Sequence, residues 1–88
     1  MARFEIGGAQ LAQMGASGNP DILMELGLMY ATGRNGEIDP VAAHKWFNLA
    51  FYRGCQAAKL HREELAIEMS PAQIALAQRA AREWITQH

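Results

Sequence analysis

The side chains able to do chemistry are few and scattered. His61 and Glu64 stand three residues apart, a spacing that puts two metal ligands on one helix face, and His44 is a third candidate. Neither an HExxH pair nor paired cysteines accompany them. All three are therefore read as surface or half-buried polar residues, and no metal is assigned. Cys55 is the single cysteine, set just after Arg53-Gly54 and before a predicted helix. A cation and a helix start beside a thiol favour its ionised, nucleophilic form. The preferred reading is nevertheless an inert thiol packed as a small apolar group. Ser17 and Ser70 fit a turn and a helix cap. Gly7-Gly8 and Gly15-Ala16-Ser17-Gly18 match no phosphate-binding loop. No catalytic residue and no cofactor is assigned. An enzyme or thiol-based sensor using Cys55 or His61 is kept as an alternative.

Composition narrows the classes further. The chain has 88 residues, 50% of them apolar and 19% charged, with a net charge of −1. That balance describes one small globular domain and argues against a basic nucleic-acid-binding face. No window approaches the roughly 18 apolar residues of a membrane span. The start, MARFEIGGAQ, lacks the charged-then-apolar run of a secretory leader. One cysteine cannot form an internal disulfide, so a reduced, cytoplasmic setting is expected. Charge is uneven along the chain. Residues 1–44 carry two basic and five acidic side chains, a balance of −3, and residues 45–88 carry six and four, a balance of +2. A basic second half suits an acidic patch on a partner.

Punctuation by proline and glycine predicts an all-α chain of antiparallel helices. Asn19-Pro20 opens a helix to about Ala31, with Asn19 as N-cap and Pro20 in the first turn. Gly33, Asn35 and Gly36 end it. Asp39-Pro40 starts a second helix to about Arg53, with Gly54 suited to a left-handed C-terminal turn. A third covers about Gln56 to Met69. Ser70-Pro71 starts a fourth, to about Ile85, in which Gln73 completes a capping box with Ser70. On that helix Ile74, Ala77, Ala81, Trp84 and Ile85 share one face, opposite Gln78, Arg79, Arg82 and Glu83. A short helix over about Ala9 to Ala16 precedes these. The first full helix is apolar nearly all round, and Met24 and Leu28, one turn apart, are expected to protrude as a contact surface. Similar residues recur 36 positions apart, as in Gly18 and Gly54 or Met29 and Leu65, which is the period of an α-solenoid. The chain divides into an N-terminal segment (1–18), a complete repeat (19–54) and a partial repeat with a closing helix (55–88).

Within residues 21–54 the residues Leu26-Gly27-Leu28-Met29-Tyr30-Ala31, Gly33, Asp39, Ala42, Trp46-Phe47, Ala50 and Gly54 stand in a specific order. The stretch resembles a Sel1-like repeat, a relative of the tetratricopeptide repeat. The resemblance implies a minimal helical solenoid that works as an adaptor for a protein partner, without catalysis. Some Sel1-like proteins carry cysteine pairs in each repeat, and the single Cys55 sets this chain apart from them. Length, the single repeat unit and the final His88 are together similar to small bacterial regulators of the Lon protease. That likeness implies engagement of an ATP-dependent protease through Trp84, Ile85, Thr86, Gln87 and His88. A self-associating structural protein is the remaining alternative.

Overall fold

A computed structural model describes residues 18–34 and 36–87. The short helix expected over Ala9 to Ala16, the N-terminal segment that holds it, and His88 lie outside the described residues. The fold is all-α, and the described residues form four helices: α1 (Pro20–Thr32), α2 (Pro40–Tyr52), α3 (Ala57–Ile67) and α4 (Pro71–Gln87). No strand occurs among the described residues.

Local chemistry sets each boundary. Asn19 Oδ1 accepts hydrogen bonds from the backbone N–H groups of Asp21 (2.9 Å) and Ile22 (3.3 Å), with Pro20 in the first turn. Gly33, at φ 73°, closes α1 in the left-handed conformation and donates to the Met29 carbonyl. Asp39 caps α2 by accepting from the Ala42 N–H at 3.0 Å. Its own N–H donates to the Tyr30 carbonyl (2.9 Å), which ties the start of α2 to the end of α1 and folds the pair into an antiparallel hairpin. After α2, the Cys55 N–H donates to the Ala50 carbonyl (2.8 Å) and the Gly54 N–H to that of Phe51 (3.0 Å). This is a Schellman closure, with Gly54 at φ 113° supplying the left-handed turn. The α4 capping box is complete: Gln73 N–H donates to Ser70 Oγ (3.1 Å), and Ser70 N–H to Gln73 Oε1 (2.9 Å).

The central element is α2. Each of the other helices packs against it, whereas α3 and α4 barely meet. Leu23, Leu26 and Met29 of α1 face Ala43, Trp46, Phe47, Leu49 and Ala50 of α2, and Ala58, Ala81 and Trp84 close the core from α3 and α4. Alanines at the α3 and α4 contacts let both helices approach α2 closely. Because they do not close on each other, a groove with α2 as its floor is left between them.

Candidate functional site

The apolar stripe of α4 seats its C-terminal end. Ala77, Ala81 and Trp84 are buried, and Ile85 packs at the edge of the core. The Trp84 ring meets that of Trp46 edge-on, with centroids 6.4 Å apart and planes at 79°. The Arg53 guanidinium lies over Trp84 at 5.4 Å, and Lys45 Nζ over Trp46 at 4.2 Å. Burial pushes the Lys45 ammonium below its ordinary range, and the carboxylate of Glu83 opposes that shift. The helix does not stop at Ile85, as the sequence suggested, but continues through Gln87. Thr86 Oγ1 donates to the Arg82 carbonyl at 2.9 Å, a side-chain bond one turn back along the same helix. Thr86 and Gln87 are thus exposed on an ordered helical turn.

The repeat-motif residues converge on the α1–α2 hairpin. Leu26, Gly27, Phe47 and Ala50 are buried, Tyr30 and Ala42 are half-buried, and Gly33 and Asp39 shape the connection. Their work is packing. Met24 and Leu28 do not protrude: both are half-buried and pack against the core. The strongly exposed apolar side chains lie elsewhere, at Ile67 (82% exposed), Leu60 (63%), Ile38, Tyr52 and Leu76.

The three metal candidates are engaged differently. The His61 ring stacks on Phe47, with centroids 5.3 Å apart, while Glu64 is exposed and His44 is buried. Among the described residues no group of three or more His, Cys, Asp or Glu side chains is placed to hold a metal ion. Cys55 is half-buried in the turn after α2.

The groove between α3 and α4 encloses about 290 Å³. His44 and Asn48 of α2 form its floor, Arg62, Glu63 and Ala66 its α3 wall, and Ile74 and Gln78 its α4 wall. Arg62 Nη1 donates to Asn48 Oδ1 at 2.7 Å, and the guanidinium also lies 5.5 Å from the Phe51 ring. His44 is only 4% exposed, and its Nδ1 is buried without a hydrogen-bond partner. We assign the ring proton to Nε2, because an orphaned lone pair costs less here than an orphaned N–H. Burial, and secondarily the Arg62 cation, hold the His44 pKa below its ordinary value.

Sequence reading missed this groove because it gave α3 no inward face. Ala58, Arg62, Leu65 and Met69 recur at helical spacing, and all four are buried or half-buried. That register puts a cation inside and Leu60 and Ile67 outside.

No protein-family model matches the chain, and no curated protein matches it. No helix among the described residues is long and apolar enough to cross a membrane.

Proposed function

We propose that the protein is a non-catalytic helical-repeat adaptor that binds a protein partner at the C-terminal end of α4. The observation that carries this reading is the seating of that end: Trp84 is buried against Trp46, and the next turn offers Thr86 and Gln87 to solvent. Groups offered from a rigid element lose little further freedom on binding. The Sel1-like motif supports the adaptor class, since its residues build the α1–α2 scaffold. A net charge of −1 favours a protein over a nucleic-acid partner. The finer reading is a cytoplasmic regulator or substrate-like activator of an ATP-dependent protease such as Lon, engaged through Thr86, Gln87 and His88; Trp84, buried in the core, and Ile85 at its edge seat that turn rather than offer contact surface. A self-associating structural role is the second reading, supported by the exposure of Leu60 and Ile67.

The test uses the purified chain with purified Lon protease. Stimulation of peptide hydrolysis and degradation of the chain itself are measured for wild type, for a variant lacking Gln87 and His88, and for His88→Asp. Both variants are expected to keep the wild-type melting temperature and to lose most of the effect on the protease. Equal activity of all three proteins would remove the tail from the mechanism.

A further inference from the structure

We propose that the groove between α3 and α4 binds a single carboxylate group, gripped by Arg62 and flanked by Asn48 and Gln78. The first observation is where Arg62 sits. Arg62 is half-buried on the inward face of α3, and its side chain lines the groove. The one ion pair among the described residues joins Arg34 and Glu25, both exposed. The hydrogen bond of Arg62 goes instead to the neutral Asn48 side chain. A guanidinium has five N–H donors, so this bond fixes its orientation and leaves others for a ligand. A planar fork held in this way matches the two oxygens of a carboxylate.

The surroundings narrow the ligand. Glu63 lines the same groove and brings one negative charge beside the cation. Arg62 and Glu63 together leave the site near neutrality, which admits a monoanion and opposes a dianion such as phosphate. On the floor, burial disfavours the charged form of His44, so it adds no second cation at neutral pH. Gln78 supplies an amide on the opposite wall. At about 290 Å³ the groove lies at the lower end of the range for small-ligand sites, sized for one short acid or one acidic side chain rather than a long peptide. The inference uses none of the α4 tail residues, so it stands or falls separately from the adaptor reading.

The two sources of such a carboxylate are a free small acid and the acidic side chain of a partner protein. Amide and side-chain NMR shifts are followed at constant ionic strength during titration with sodium propionate, an end-blocked pentapeptide with a central Glu, its Gln counterpart, and inorganic phosphate. Saturable shifts are expected at Asn48, Arg62 and Gln78. Tighter binding of propionate assigns a free acid, and tighter binding of the Glu peptide assigns a partner side chain; either supports the carboxylate site. Arg62→Met keeps the aliphatic stem and should weaken binding about tenfold or more. Arg62→Lys keeps the charge but not the fork, and should also weaken it. Glu63→Gln should tighten binding of the acid and raise that of phosphate still more, an effect that a purely structural Arg62 would not produce. The proposal is overturned by equal binding of the Gln peptide, by undiminished binding to folded Arg62→Met, by phosphate outcompeting propionate in the wild type, or by no saturable shift with any probe.

Discussion

Gly27 of α1 and Phe47 of α2 interlock: a Cβ built on the glycine would fall 2.5 Å from Cε1 and 3.0 Å from Cγ of the ring. Phe47 is 1% exposed, and its ring also stacks on His61, so it cannot swing aside freely. In an open helix Gly→Ala gains about 1 kcal/mol. Here the sign reverses. Gly27→Ala is expected to destabilise the domain by about 1–3 kcal/mol, and Gly27→Leu to abolish the native fold. Chemical denaturation checks the first, and the helical circular-dichroism signal the second. Phe47→Leu should recover part of the Gly27→Ala loss, measured as a coupling energy in a double-mutant cycle.

The Trp46–Trp84 contact holds α4 to α2. Trp84→Ala should cost about 3–5 kcal/mol because its site is closed, of which about 0.5–1.5 kcal/mol belongs to the ring pair itself. Native emission should be blue-shifted for both tryptophans, since each is buried. Emission like that of free tryptophan from either single-tryptophan variant would contradict this packing.

The elements of the fold were legible in the sequence because their punctuation is local. Asn19-Pro20, Asp39-Pro40 and the Ser70–Gln73 box each state a helix start within four residues, and the structure forms every one of those hydrogen bonds. The Ala77–Ala81–Trp84 stripe is also buried as its spacing requires. What the sequence hid depends on tertiary placement. Met24 and Leu28 look like surplus apolar residues until the packing of α1 on α2 brings them against the core. On α3 the large apolar residues Leu60 and Ile67 draw attention away from the inward register of Ala58, Arg62 and Leu65. The groove needs three helices at once, and no single stretch of sequence contains it.

His44 makes stability depend on pH. Its folded-state pKa lies below the ordinary value of 6.5, so the unfolded chain takes up the proton first. The stabilisation is complete above pH 6.5 and falls as pH drops below it, levelling off once pH passes the folded-state pKa. Arg62 and Glu63 on α3 are the charged residues lining the groove with it, and Arg62 acts in the same direction as burial. His44→Leu should flatten the pH dependence of the unfolding free energy between neutral pH and pH 5. An unaltered slope would place the proton uptake elsewhere.

The two faces of α3 give the sharpest contrast, and they bear on the self-association reading. Leu65 is half-buried against the core, whereas Ile67, two residues on, is 82% exposed. Residues two apart on a helix face nearly opposite ways. Leu65→Ala should therefore cost about 1–3 kcal/mol. Ile67→Lys and Leu60→Lys should each change the unfolding free energy of the isolated domain by no more than about 0.5 kcal/mol. Denaturant titrations at low protein concentration make the comparison. The same lysine variants then decide between a docking face and a merely exposed one. If copies of the chain associate through Leu60 and Ile67, the wild-type mass rises with concentration in sedimentation, and the double variant stays at the mass of one chain. If the wild type keeps a single mass throughout, self-association is excluded, and the two residues are solvent-facing on a helix whose apolar work is done by Ala58 and Leu65.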